Sequence, residues 1–153
     1  MQPTVRAATV DDVARLAALD RQTFGANAYS PSTIRQLVDV FPGLVVLSED
    51  REGVPRAYAF GALAATAETG WILALGVQPG HQGHGFGRAT VEELVRRIAC
   101  LGALRIRSTC SPSAHGALRF QAKLGFAVVE RVDDYLGPGR DRLVLERTLS
   151  ARA

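Results

Sequence analysis

The sequence predicts an α/β fold whose elements run β-α-α-β-β-β-α-β-α-β-β, and three observations carry that prediction. The apolar run Trp71-Ile72-Leu73-Ala74-Leu75-Gly76-Val77 leads into a loop, Gly80-His81-Gln82-Gly83-His84-Gly85-Phe86-Gly87, and the loop into an amphipathic helix. Strand, glycine loop and helix in that order mark a phosphate-binding junction. A second helical pattern closes on Lys123-Leu124-Gly125-Phe126, where Gly125 ends the helix and a strand begins. The first half alternates short apolar runs with turn residues, as a meander does.

Pro3 to Ala8 reads as the first strand, and Thr9 as the cap of a helix with Val13, Leu16, Ala17 and Phe24 on its inner side. A loop over 25–29 precedes a second helix that starts at Ser30-Pro31, runs through Ile34, Leu37 and Val38, and ends near Phe41-Pro42-Gly43. Leu44 to Ser48 and Arg56 to Thr66 read as strands joined by Asp50-Arg51-Glu52-Gly53, and Glu68-Thr69-Gly70 turns into the central strand. That central run is apolar enough to be buried on both faces, with Gly76 marking a bulge or a close backbone approach. In the following helix Val91, Leu94, Val95, Ile98 and Leu101 recur at helical spacing, opposite the pairs Glu92/Arg96 and Glu93/Arg97, and Gly102 ends it. Leu104 to Thr109 is the next strand. Ser111 caps a helix with Pro112 at its first position and Ala117, Phe120 and Leu124 inward. Strands over 126–132 and 142–149 finish the chain, with Gly137-Pro138-Gly139 between them.

Spacing separates three phosphate-loop patterns at the glycines. A dinucleotide fingerprint needs G-x-G-x-x-G, whereas Gly83, Gly85 and Gly87 run G-x-G-x-G. A P-loop needs Lys and then Ser or Thr, where this chain has Phe86 and Gly87. The third pattern is Gln82-x-x-Gly85-x-Gly87 after the strand end Val77-x-Pro79. It resembles the acetyl-CoA loop of the GNAT superfamily of N-acetyltransferases. The segment from Ala114 through Ala117, Phe120, Lys123 and Leu124 to Phe126 resembles the family's other hallmark helix, and the likeness covers nearly the whole chain.

The resemblance implies a mixed, strongly twisted sheet of about seven strands with helices on both faces. It implies that the backbone at Leu75, Gly76 and Val77 pairs with the pantetheine arm of acetyl-CoA and polarises the thioester carbonyl. The loop residues Gln82, Gly83, His84, Gly85, Phe86, Gly87 and Arg88 would hold the pyrophosphate, and Ala117, Phe120 and Lys123 would complete the cofactor site. The expected activity is transfer of acetyl directly to a primary amine, of a small molecule or of a peptide or protein N-terminus, without an acyl-enzyme. The alternative is a non-catalytic acyl-CoA-binding sensor or regulatory module.

Three departures from the family's pattern bear on catalysis. Gln121 stands where many members have a Tyr general acid, and an amide has no proton to give at useful pKa. Ala114 replaces the common Asn, and the strand over 104–109 has no carboxylate. Tyr135 is the first candidate for acid or substrate contact, its other reading being a surface tyrosine beside Gly137-Pro138-Gly139. Glu68 is a candidate base acting through water, or a solvated turn residue. Phe24, Tyr29 and Tyr135 are expected to contact the acceptor, because the segments over 24–29 and 134–139 flank the open end of the family's slot. Tyr29-Ser30 resembles a step in enzymes that act on protein N-termini. Asp133 and Asp134 could attract a cationic acceptor, their other reading being surface acids of a loop.

Composition narrows the classes. A chain of 153 residues, 47% hydrophobic, is expected to form one domain over 1–153. The net charge of +3 comes from 18 basic and 15 acidic residues without a long basic run, so no nucleic-acid partner is expected. The start Met1-Gln2-Pro3-Thr4-Val5-Arg6 has no apolar leader core and no stretch is long enough to span a bilayer, so the expectation is a soluble, cytoplasmic protein without a membrane partner. A homodimer is compatible with the family and unsigned in the residues. Cys100 and Cys110 read as reduced thiols, and with His81, His84 and His115 they lack metal-ligand spacing, so no metal is expected.

Overall fold

The computed structural model describes residues 2–150; Met1 and 151–153, the ends of the expected domain, lie outside the described residues. Seven strands form one sheet, β1 (Thr4–Ala7), β2 (Val45–Glu49), β3 (Pro55–Leu63), β4 (Thr69–Val77), β5 (Arg105–Cys110), β6 (Ala127–Val132) and β7 (Arg142–Thr148). Four α-helices accompany them, α1 (Val13–Phe24), α2 (Pro31–Val40), α3 (Phe86–Cys100) and α4 (His115–Lys123). The strand order is β1-β2-β3-β4-β5-β7-β6, antiparallel except for the parallel pair β4 and β5 joined across α3. This is the predicted element order and a mixed sheet with helices on both faces.

Two cores explain why the sheet needs both layers. Leu16, Ala17 and Leu19 of α1 and Ile34 of α2 pack with Val45, Leu47, Tyr58 and Phe60 on one face. Val91, Leu94, Val95 and Ile98 of α3 pack with Val46, Ala59, Ile72 and Ile106 on the other. Strands β2 and β3 are the ones buried on both faces, because they lie between α3 and the α1–α2 layer. Gly61 and Gly70 let α3 sit close, since a Cβ there would come within 2.6 Å of Leu94 and 2.4 Å of Ile98.

The helix ends follow local chemistry. Thr9 and Asp12 form a capping box over a short 3-10 turn at Val10–Asp12, and Asp12 also pairs with Arg6 at 2.8 Å, so α1 begins at Val13. The Arg6 guanidinium holds the Asp12 carboxyl below its usual range. Ser30 caps α2 as expected, its hydroxyl accepting from the Thr33 N–H at 3.2 Å. At α4 the expectation fails. Ser111 Oγ is engaged with Ser113 in a local turn, and the helix starts at His115 after Ala114 without a side-chain cap. Phe24 is 42% exposed rather than inward, and Leu101 is 53% exposed beyond the end of α3. Glu93 pairs with both Arg96 and Arg97, while Glu92 leaves Arg96 for Arg147 of β7 at 3.0 Å.

Candidate functional site

The central strand opens the site. β4 and β5 pair only from Thr69/Arg105 to Ile72/Ser108, and beyond that point β4 continues to Val77 with β3 alone beside it. A β-bulge leaves Leu73 unpaired between Ile72, opposite Gly61, and Ala74, opposite Phe60. The resulting cleft of about 670 Å³ is lined by β4 from Ile72 to Val77, the glycine loop, the end of β5 and the face of α4. Burial along β4 alternates, with Gly70, Ile72, Ala74 and Gly76 inside and Leu73 39% exposed. The run is thus not buried on both faces as its composition predicts. Leu73, Leu75 and Val77 line the cleft, and although Leu75 also packs against the α3-side core, the apolar surface they leave open there suits an extended ligand.

Gly76 realises the close-approach reading, and the bulge falls at Leu73 instead. A Cβ on Gly76 would come within 2.6 Å of the Tyr58 ring. Tyr58 is fully buried and donates its hydroxyl to Asp20, which is itself fully buried and accepts the Tyr29 N–H at 2.7 Å. Burial and the Asp20 carboxylate push the Tyr58 phenol up, so it stays a donor. Asp20 thereby ties the segment after α1 to β3, the neighbour of the strand that carries the cleft. Tyr29 stacks edge-on against Phe60 at 5.8 Å, and its hydroxyl lies 3.5 Å from the Leu73 carbonyl.

In the loop, Gly83 (φ +79°) and Gly85 (φ +87°) adopt left-handed backbone with nothing within 4 Å of a would-be Cβ. They serve conformation and leave open space above the loop. Gly87 has ordinary φ, but a Cβ there would meet Val77 at 3.0 Å and Phe120 at 3.1 Å. The loop ends on the 15-residue helix α3, whose first turn carries no acidic residue. The Phe86 carbonyl accepts from Ser48 and Thr90 hydroxyls at 3.2 and 2.8 Å, which fixes that turn against β2. Such a positive helix end with open amides suits an anion. His81 lines the cleft with its Nδ1 buried and without a partner among the described residues.

Among the expected cofactor residues, Leu75, Gly76, Val77, Gln82, Gly83, Gly85, Gly87, Arg88, Ala117 and Phe120 line the cleft. Three do not. The Phe86 side chain is 2% exposed and belongs to the core, His84 is exposed outside the lining, and Lys123 is exposed on the last turn of α4. Lys123 follows Gln121 by two helical positions, about 200° around the axis, which turns it off the cleft face. Of the expected acceptor contacts, Phe24 lines the cleft, Tyr29 stands behind the bulge and Tyr135 is 44% exposed on the β6–β7 loop outside the lining. Glu68 is exposed before β4, and the first lining residue, Ile72, is four residues on, about 13 Å along the strand. The fold does not bring it to the cleft.

Residues that sequence reasoning did not assign to the site complete its floor. Gln121 is buried, and its side-chain oxygen accepts from the Ser108 hydroxyl across the point where β4 and β5 part. Its amide nitrogen makes no hydrogen bond among the described residues. Cys110 lines the cleft, and burial pushes its thiol up. Arg142 closes the far wall. Helical spacing on α4 signals Gln121, since 117, 120, 121 and 124 share a face, whereas nothing local signals Arg142. The charged lining consists of Arg88 and Arg142, with no Asp or Glu among the described residues that form it. Among the described residues no three His, Cys, Asp or Glu side chains gather as a metal site would, and no helix is long and apolar enough to cross a membrane.

A model of the acetyltransferase (GNAT) family matches residues 13–126. No curated protein matches the chain. Among solved structures, Ard1 from Thermoplasma volcanium is similar at 18% identity over 98% of this chain and 99% of that one, with a TM-score of 0.88. The ribosomal-protein-S18-alanine N-acetyltransferase from Escherichia coli is 18% identical over 99% and 97%, with a TM-score of 0.82. The phosphinothricin acetyltransferase of Sinorhizobium meliloti, in complex with acetyl-CoA, is 20% identical over 98% and 90%, with a TM-score of 0.81. At such identities the likeness is one of fold.

Proposed function

The chain belongs to the acetyltransferase (GNAT) family, and from that premise we propose that it transfers acetyl from acetyl-CoA directly to a primary amine. The observation that carries the reading is the parting of β4 from β5 over a cleft that begins at the glycine loop and ends under the bulge at Leu73. Its parts fit the donor. Loop amides at Gln82 to Gly87 with Arg88 suit a pyrophosphate, the free edge of β4 at Leu75 to Val77 suits an extended amide-bearing arm, and the parting strands leave room for a thioester. The buried, unpartnered His81 Nδ1 is a polar atom that a ligand in the cleft would satisfy.

In the transfer, the neutral amine nitrogen bonds to the acetyl carbonyl carbon and the carbon–sulfur bond breaks. The amine gives up a proton, and the departing thiolate ends as thiol. Backbone N–H groups on the free edge of β4 would stabilise the carbonyl oxygen as charge builds on it. The unpartnered Gln121 amide N–H would stabilise the thiolate by hydrogen bonding, without delivering a proton. Thiolate is a fair leaving group near neutral pH, so solvent can protonate it. Among the described residues Cys110 is the one thiol lining the cleft, and its raised pKa disfavours the thiolate that a covalent relay would need. Tyr135, outside the lining, retains a contact with the outer part of an acceptor.

Calorimetric titration with acetyl-CoA and CoA, followed by thiol release on adding amines and short peptides, tests the proposal. Saturable binding and release with one acceptor class are expected. Binding without release would favour the second reading, a non-catalytic acyl-CoA-binding module, to which Gln121 and Ala114 lend support. No binding at about millimolar ligand, a free energy of only about −4 kcal/mol, overturns both.

A further inference from the structure

A second cavity of about 420 Å³ adjoins the cleft, sharing Ser111 and Arg142 with it, between Asn27 of the α1–α2 connection and the β6–β7 loop. Three guanidinium groups line it, Arg131, Arg140 and Arg142, against one carboxylate, Asp141. The acids of this rim are engaged. Arg131 binds Asp133 at 3.0 Å and Asp141 at 2.8 Å, and Asp134 accepts the Gly139 N–H at 2.7 Å. Asp133 and Asp134 are exposed and lie outside the lining of both cavities, which fits their reading as surface acids.

Neither of the two remaining cations is ion-paired with a described residue. Arg140 makes only long contacts, 3.4 Å to Asn27 Oδ1 and 3.5 Å to the Leu136 carbonyl. Arg142 is partly buried and makes no side-chain hydrogen bond or ion pair with any described residue. It stands on the wall common to both cavities, close enough to Tyr29 and Cys110 that its charge favours their ionised forms. A partly buried, unpaired guanidinium beside a reaction cleft is a fork built for an oxyanion.

Resting on the acetyl-transfer reading, we propose that the acceptor carries a carboxylate or like anion near its amine, seated in this second cavity against Arg142 and Arg140. The class is that of free amino acids and of peptides with an acidic residue close to the N-terminus. The amine then lies in the cleft and the anion beyond Ser111. Polyamines and other polycationic acceptors are repelled by the same wall.

The test uses the whole chain with acetyl-CoA and two matched acceptor pairs, compared per unit of neutral amine. The pairs are L-alanine against L-alaninamide, and the amidated tetrapeptides Ser-Glu-Ala-Ala and Ser-Gln-Ala-Ala. The expected result is a kcat/KM at least about tenfold higher for the acid in one pair, about 1.4 kcal/mol. A preference in the first pair identifies a free amino acid, and one in the second a peptide. R142Q should bring that ratio near one and R142K restore part of it, while acetyl-CoA binding in the same samples reports a folded protein. Should R142Q not fold, the exposed R140Q is expected to lower the ratio instead. Ratios near or below one in both pairs overturn the proposal, as does an undiminished ratio in folded R142Q, or thiol release from none of the four acceptors. If acetyl-CoA binds and neutral amines serve equally, only this proposal falls; if acetyl-CoA does not bind, the transferase reading falls with it.

Discussion

Gln121 sits on the floor of the cleft with a single hydrogen bond for its side chain among the described residues, from the Ser108 hydroxyl, and both groups are buried. Removing one partner of such a pair leaves the other unpaired in a dry setting, which costs more than the bond itself contributes. Gln121→Leu is therefore expected to destabilise the fold by about 1–3 kcal/mol, read from urea unfolding midpoints. Adding Ser108→Ala should recover most of that loss, since no orphaned hydroxyl remains. Strict additivity of the two substitutions would show that the contact carries no coupling. The sequence reveals Gln121 as a departure, because the motif register aligns it with a family tyrosine. Its partner is hidden, since Ser108 lies thirteen residues back on another element and only the tertiary fold apposes them. Arg142 is hidden for the same reason, being one arginine in a chain whose basic residues are nearly all arginine.

At the scale of elements, legibility depends on whether the signal is local. The Ser30-Pro31 start of α2 is local and is realised, whereas Ser111-Pro112 offers the same letters and forms a turn, because Ser111 Oγ has Ser113 as a nearer partner. The apolar run of β4 is also local, yet composition alone cannot tell a strand packed by protein on both faces from one that keeps a face for a ligand. The glycine loop is the most legible element, and its four glycines divide by role, Gly80, Gly83 and Gly85 for left-handed backbone and Gly87 for close packing. Gly85→Glu exploits that division. It places a carboxylate at the N-cap of α3, where the fold has space for it but an anionic ligand would be repelled, and its positive φ costs about 1–2 kcal/mol. Acetyl-CoA affinity should fall at least about 100-fold, about 2.7 kcal/mol, with the protein still folded by circular dichroism. Undiminished affinity in that variant would remove the cradle from the loop.

For the molecule as a whole, the order of seven strands and four helices is readable from periodicity and punctuation, and the sheet type follows from the family resemblance. What periodicity leaves open is where the sheet parts, and that decides the chemistry. The parting brings together a bulge, a buried glutamine, a buried thiol and two arginines, and among the described residues no carboxylate. A cationic wall favours the neutral form of a bound amine, so the acceptor is selected by its own acidity in place of an enzymic base. In that case kcat/KM should rise about tenfold per pH unit below the acceptor's pKa and level off above it. With a peptide α-amine the bend is expected near pH 8, and with a lysine side chain as sole amine it moves towards about 10.4. At pH 7.5 the neutral fraction alone favours the α-amine by more than about 100-fold. The measurement is a pair of pH–rate profiles on one enzyme preparation with an unblocked peptide and an N-blocked lysine peptide. A common bend at the same pH below 7 for both acceptors would reveal a titrating base on the protein, and the carboxylate-free cleft would no longer explain how the proton leaves.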